Sequence, residues 1–263
     1  MSVHRFYLSP ENFNSDALIL SGPEAHHARD VLRMKQGDRA VLFNGRGGEI
    51  TAEIRTIDSV QITLGKLHES ETPPLKCQIT LGQAIPKGKN MDLVVQKAVE
   101  IGATEIAPLI SDRTVVRLGR DESKQKQAKW QQVAIEAAKQ CGQNWLPHVH
   151  PPRKIPEFFS SVDAGDRRSL DGSDARRPQL RLIGSLQSDA QHLKKILAEY
   201  ADVHGAPPVN VLMLIGPEGD FTPAEISLAR SHGCRPITLG PIILRVETAA
   251  IYCLSVLSYE LLN

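Results

Sequence analysis

The sequence predicts an α/β fold, in which a small β unit precedes a larger domain of strands and helices around a mostly parallel sheet. Three observations carry this. The first 73 residues alternate short apolar runs with turn signals and show no long helical period. Pro73-Pro74 then marks a linker. Beyond it, strand-like runs alternate with segments of helical spacing, and such βαβ repetition packs helices on both faces of a parallel sheet. A length of 263 residues also sits where a single core gives way to two domains, somewhere around 250 to 300 residues. The boundaries read as 1–73 and 74–263.

In the first part, residues 40–44, 49–57 and 62–67 are β-rich and read as a small antiparallel unit. The stretch Gly45-Arg46-Gly47-Gly48 begins a GxGxxG pattern, but Ile50 occupies the sixth position, so a hairpin turn is the better reading. In the second part, 77–85 is a strand, and Met91, Val94, Val95, Ala98 and Ile101 share one helical face. Gly102 stops that helix, and 105–110 is the next strand. Gly82 and Gly88-Lys89 approach a phosphate-binding loop, but five residues separate the glycines and Asn90 stands where Ser or Thr belongs. Asn90 is better used as the N-cap of the following helix. Helices over 124–141 and 190–201 and strands over 180–183 and 209–215 continue the alternation. The segment 163–178 has almost no apolar residue and reads as a mobile loop.

At 41% hydrophobic and 23% charged, the chain is neither fibrous nor disordered. No apolar run reaches the roughly 18 residues of a membrane span, and MSVHRFYLSPENF lacks the apolar core of a signal peptide. A soluble, cytoplasmic protein without membrane association is expected. Cys77, Cys141, Cys234 and Cys253 form no CxxC pair, which fits reduced thiols. Neither His26-His27 nor His148-x-His150 has the Cys or carboxylate neighbours of a metal site, so no metal is expected. The formal net charge of +1 argues against a nucleic-acid partner only until it is divided. Eight basic residues face ten acidic ones over 1–73, thirteen face eight over 74–160, and ten face twelve over 161–263. Within the basic middle, Arg113, Arg117, Arg120, Lys124, Lys126 and Lys129 suit phosphate contacts or a solvated helix face.

Two glycine turns follow two apolar strands. Val211 to Ile215 runs into Gly216-Pro217-Glu218-Gly219-Asp220, after which Thr222, Pro223 and Glu225 spell a capping box with proline at the first helical position. Pro236 to Leu239 runs into Gly240-Pro241-Ile242-Ile243-Leu244-Arg245. Ligands of open parallel sheets bind at the carboxyl ends of strands, so the pair of turns suggests one pocket. The run 249–257 is too broadly apolar for an exposed helix and suits either a core or a subunit seam.

The stretches PKGKNMDLVVQKAVEIGATEIAPLISDRTVVR (86–117), EAAKQCGQNWLP (136–147), IGPEGDFT (215–222) and LGPIILRVETA (239–249) resemble, in order and spacing, the bacterial 16S ribosomal RNA (uracil-N3) methyltransferase family. HRFYL and HHARDVLRMKQGD extend the likeness over effectively the whole chain. The resemblance implies an RNA-binding PUA-like β-barrel followed by a SPOUT methyltransferase domain whose C-terminal trefoil knot holds S-adenosylmethionine. It further implies a homodimer that methylates N3 of a uridine in the decoding region of 16S rRNA, on the assembled 30S subunit. It places the cofactor against Ile183 and Gly184, against Leu214, Ile215, Gly216, Pro217, Glu218 and Gly219, and against Leu239, Gly240, Ile243, Leu244 and Arg245, with Thr248 nearby. RNA contacts are expected from Lys87, Lys89, Arg113 and Arg117, extended by Arg5, Arg33 and Arg46. Two departures stand out. Asp220 replaces a usual glycine, and Ser185-Leu186-Gln187 follows Gly184 where the family commonly has an acidic residue.

Methylating uracil N3 requires loss of its proton, which spreads negative charge over O2 and O4. A guanidinium can stabilise that charge and a carboxylate can take the proton. Arg245 with Glu247 or Glu218 are the catalytic candidates; an Arg–Glu pair that merely braces the knot is the alternative. Cys141 would suit methylation at pyrimidine C5 through a thiolate adduct, but N3 attack needs none, and Cys141 reads as a small packed residue near a helix end. A non-catalytic dimeric RNA-binding protein, or a methyltransferase acting at another RNA position, are the competing functions.

Overall fold

The computed structural model describes residues 3–13, 18–114, 119–164 and 178–262. Its elements run β1 (His4–Tyr7), α1 (Pro10–Phe13), β2 (Leu18–Ser21), α2 (Gly22–His26), β3 (Arg39–Phe43), β4 (Gly48–Ile57), β5 (Gln61–Glu71), β6 (Gln78–Ala84), α3 (Asn90–Ile101), β7 (Glu105–Ile110) and α4 (Arg120–Cys141). They continue with β8 (His148–Val149), β9 (Arg153–Lys154), α5 (Ile155–Ala164), β10 (Leu180–Gly184), β11 (Gln191–His192), α6 (Leu193–His204), β12 (Asn210–Ile215), α7 (Pro223–Ser231), β13 (Cys234–Thr238) and α8 (Val246–Leu261). The chain divides into two compact units: residues up to Pro74 with Ile135–Leu146, and Leu75–Ala134 with the residues from Pro147 on.

The first unit is a five-stranded sheet of order β1-β3-β4-β5-β2. The β3–β4, β4–β5 and β2–β5 pairings are antiparallel, as the alternation predicts. The β1–β3 pairing is parallel, which corrects the purely antiparallel expectation. The connection between them carries α1, β2 and α2, long enough for the crossover that a parallel pair requires. Ile50, Ala52 and Ile54 alternate inward from β4 and meet Phe6, Leu20, Leu42 and Ile62 in the core. β5 extends to Glu71 because its polar end pairs with Gly48 to Thr51 of β4, a backbone pairing without an apolar signature.

Residues 135–146 join this unit, which a boundary drawn at 73/74 does not include. Lys139 pairs with Glu24 at 3.1 Å, and the Trp145 indole donates to the Thr72 carbonyl at 2.8 Å. Burial raises the Glu24 carboxyl in spite of that lysine. Arg5 donates to Glu49 at 2.7 Å and to Asn144 at 2.5 Å.

In the second unit all pairings of the eight-stranded sheet, of order β11-β13-β10-β12-β6-β7-β8, are parallel, with β9 also beside β7. The central strands β6 and β12 are buried almost along their whole length because both faces are covered, and they are mainly apolar, with Thr80, Gln83 and Asn210 as buried polar members. α8 lies on α3, β6 and β12 and buries Ala250, Cys253, Leu254 and Leu257, so core packing accounts for one face of the C-terminal apolar run. Gly82 sits inside β6, buried, and belongs to no phosphate loop.

Several boundaries differ from the sequence reading for identifiable reasons. Asn90 opens α3 rather than capping it; Lys89 is the cap and gives no side-chain bond. α6 begins at Leu193 because Gln191 and His192 pair with β13. Asp163 and Ala164 close α5, with Asp163 bonded to Arg181 at 2.8 Å and to His232 at 2.6 Å; the rest of the expected loop up to residue 177 lies outside the described residues. The Thr222–Glu225 capping box of α7 forms as predicted, with the Thr222 amide donating to Glu225 at 2.8 Å. Among the described residues no helix is long and apolar enough to cross a membrane.

Candidate cofactor site

The sheet order sets β13, β10 and β12 side by side and parallel, so the chain leaves all three at one edge, after Gly184, after Ile215 and after Thr238. Such an edge, where strand order reverses, is where open α/β sheets hold ligands. β12 is buried along its whole length, which fixes the point from which its loop departs.

The loop after β12 is tightly folded. The Asp220 amide donates to the Pro217 carbonyl at 3.0 Å, and Gly219 and Asp220 both adopt left-handed backbone, with φ of 87° and 68°. For a residue with a Cβ that conformation costs roughly 1–2 kcal/mol, and Asp is among the few that offset it through local hydrogen bonds. Asp220 Oδ1 accepts from the Phe221 amide at 2.7 Å, and Oδ2 accepts from the Leu186 amide at 3.4 Å, linking the loops after β12 and β10. A Cβ at Gly216 would lie 3.1 Å from Asp220 Oδ1 and from the Phe221 nitrogen, so this fold of the loop favours glycine there.

The catalytic candidates meet the β6–α3 loop. Glu218 accepts from the Lys87 amide at 3.0 Å, and Glu247, in the first turn of α8, accepts from Asn90 Nδ2 at 3.4 Å. Both carboxylates are therefore tied to residues 87–90. Arg245 is exposed at the N-cap of α8. Of the expected cofactor residues, Ile183, Leu214 and Ile215 turn their side chains into the core, leaving their backbone for a ligand. Pro217 is buried, Gly184, Leu239, Gly240 and Leu244 are half-buried, and Thr248 and Ile243 are exposed.

The expected RNA-contacting residues fare differently. Lys87 and Lys89 are exposed beside the site, and Arg33 and Arg46 are exposed in the first unit. Arg5 is half-buried and bonded to Glu49 and Asn144 inside that unit. Arg113 donates to the carbonyls of Gly219 and Asp220. Arg117 lies outside the described residues. Sequence reasoning missed the parts of Asn90, Asp112 and Asp220. It also treated Glu225 only as a cap partner, although its other oxygen accepts from the Asp112 amide at 2.8 Å.

Cys141 is exposed at the end of α4 rather than packed. Burial pushes the Cys77, Cys234 and Cys253 thiols up to about 12, which leaves them protonated and unreactive at neutral pH. His150 bonds Glu105 at 2.9 Å and stands edge-on to His148, and the described residues contain no group of three metal-binding side chains. A cavity of about 710 Å³ opens at the other end of the strands, between the starts of β10 and β13 and the end of α6, where Arg181 pairs with Asp163 and Arg235 with Glu199.

Comparison with known proteins matches residues 73–258 to an RNA methyltransferase domain and residues 20–65 to an RNA methyltransferase PUA domain. The chain is 30% identical to a ribosomal RNA small subunit methyltransferase E of Synechocystis, over 94% of this chain and 74% of that protein. The corresponding Bacillus subtilis protein is 29% identical, over 92% and 89%. Among solved structures, a Legionella pneumophila methyltransferase in complex with S-adenosylmethionine superposes with a TM-score of 0.84 at 33% identity, covering 99% of this chain and 98% of that one. The Neisseria gonorrhoeae ribosomal RNA small subunit methyltransferase E bound to S-adenosylmethionine gives 0.78 at 31%, covering 98% of each. The chain therefore belongs to the RNA methyltransferase family that includes the ribosomal RNA small subunit methyltransferases E, with a PUA domain preceding the methyltransferase domain.

Proposed function

We propose that this protein transfers a methyl group from S-adenosylmethionine to N3 of a uridine in 16S ribosomal RNA, acting in the cytoplasm on the assembled 30S subunit. The observation that carries the proposal is the shared edge of β10, β12 and β13, where three loops meet beside Glu218, Glu247 and Arg245. The residues there fit the cofactor. Gly216, Gly219 and Gly240 offer bare backbone for a purine edge, while Leu239, Ile243 and Leu244 offer apolar surface for its faces. The order β13-β10-β12, with α8 returning to α3, supports the SPOUT-type knotted connection that the family resemblance implies.

Bound S-adenosylmethionine would supply a methyl group on a positively charged sulfur, open to attack by a ring nitrogen. Arg245, exposed at the N-cap of α8, would face the uracil oxygens and stabilise the charge left by loss of the N3 proton. Glu218 or Glu247 would accept that proton; each is held by one hydrogen bond from the 87–90 loop and keeps further acceptor capacity. Lys87, Lys89, Arg33 and Arg46 are the exposed cations that would contact RNA phosphates. Leu186, Ile242 and Ile243 stay 63%, 69% and 80% exposed on the cofactor loops, and their burial would favour a homodimer.

Arg245→Ala is expected to abolish methylation while retaining part of the cofactor affinity measured by calorimetry; full activity in that variant would remove Arg245 from the chemistry. Absence of heat with millimolar S-adenosylmethionine would favour a non-catalytic RNA binder. Mass mapping of ribosomal RNA from cells lacking the protein should reveal one missing methyluridine.

A further inference from the structure

The turn after β7 shares in the cofactor site in a way its sequence does not announce. The Thr114 amide donates to the Ser111 carbonyl at 3.0 Å, and the Ser111 amide to Thr114 Oγ1 at 3.1 Å. This turn is fastened to the start of α7, since the Asp112 amide donates to Glu225 Oε1 at 2.8 Å while Glu225 Oε2 receives the amide and hydroxyl of the N-cap Thr222. Glu225 is buried, so the fastening is shielded from water.

From that anchored turn Arg113 reaches the loop after β12, and its Nη1 donates to the carbonyls of Gly219 and, at 3.4 Å, of Asp220. These are the two residues of the loop with positive φ. A left-handed pair takes its carbonyls out of any strand or helix ladder, so they need a donor from elsewhere. A guanidinium supplies several donors in a fixed fork and never deprotonates. On the other side, Asp220 Oδ2 accepts from the Leu186 amide. The loop is thus held from both sides, by the β7 turn and by the loop after β10.

We propose that Arg113 is a positioning residue for the cofactor: it holds residues 216–220 in the binding conformation through the Gly219 and Asp220 carbonyls, and it is not an RNA phosphate contact. This rests on the cofactor site proposed above. It removes Arg113 from the basic strip, whose remaining described members, Arg120, Lys124, Lys126 and Lys129, lie on α4.

The test compares the full-length wild type with Arg113→Ala and Arg113→Lys. It reads S-adenosylmethionine affinity by calorimetry, 16S ribosomal RNA affinity at several salt concentrations, and amide hydrogen exchange without ligand. Loss of a charged hydrogen bond should weaken cofactor binding by about tenfold in Arg113→Ala and speed exchange at residues 216–221 alone. RNA affinity and its salt slope should stay unchanged. Lysine, which keeps the charge but lacks the fork, should not restore the cofactor affinity. The proposal is overturned by unchanged loop exchange together with an RNA affinity that falls, a salt slope reduced by about one, and rescue of both by lysine. If the wild type binds no S-adenosylmethionine, the cofactor reading fails; the exchange comparison needs no ligand and still decides whether Arg113 holds the loop.

Discussion

Asp220 shows how much of a site one backbone torsion can reveal. Its φ of 68° places it in the region that glycine adopts freely, and its carboxylate joins two loops. Asp220→Gly should keep the loop conformation and lose the link to Leu186. Asp220→Ala should lose both and be the less stable by about 1–2 kcal/mol, read from denaturant midpoints of the two variants; equal stability would mean that backbone strain at 220 is absent in solution. The sequence places an aspartate after Gly219 but cannot show the torsion or the Leu186 amide. Arg113 makes the same point in reverse. As one cation among six in a basic run it reads as an RNA contact, and only its distance to carbonyls more than a hundred residues away says otherwise.

At the scale of elements, agreement is best where the signal is local. The capping box of α7, the stop of α3 at Gly102 and the strand 105–110 follow from neighbours in sequence and are found where expected. The end of β5 is held by backbone pairing and leaves no apolar signature, and Asn90 does not cap α3 because it is already the helix's first residue, with Lys89 at the N-cap. The short strand β8 carries a pH prediction. Burial, followed by the charge of His150, lowers the pKa of His148 below its usual 6.5; Arg153 acts in the same direction and Glu105 against it. Between the lowered folded value and 6.5 the unfolded chain binds more protons than the folded one, so stability is present above 6.5 and declines as pH falls toward the folded value. Thermal melts from pH 7.5 to 5.5 should show a steeper loss of Tm in the wild type than in His148→Gln. Parallel curves would assign the loss to other groups.

For the whole molecule, the net charge of +1 is the sum of unlike regions, and the basic surplus of 74–160 falls mainly in the second unit. That unit contains the three loops, so cofactor binding should stabilise it selectively. Ligand at a hundred times its dissociation constant contributes about 2.7 kcal/mol to whatever unfolds with the site. Hydrogen exchange is therefore expected to slow in β6, β10 and β12 on addition of S-adenosylmethionine, while β3, β4 and β5 exchange as before. Equal protection of both sheets would show that the units unfold as one.

Local sequence alone specifies the α/β class, the small β unit ahead of the larger domain, the glycine turns after two apolar strands and the helix that Thr222 caps. Each depends on hydrogen bonds and side-chain periodicity within a few residues, which the order of amino acids specifies directly. Tertiary structure decided the rest. It set β10 between β12 and β13 so that three loops share an edge, returned residues 135–146 to the first unit, and brought Lys87 to Glu218, Asn90 to Glu247 and Arg113 to Gly219. Those contacts span 106 to 157 positions along the chain. Pairings at such separations depend on which apolar faces bury each other and in what register, and no local pattern encodes that choice.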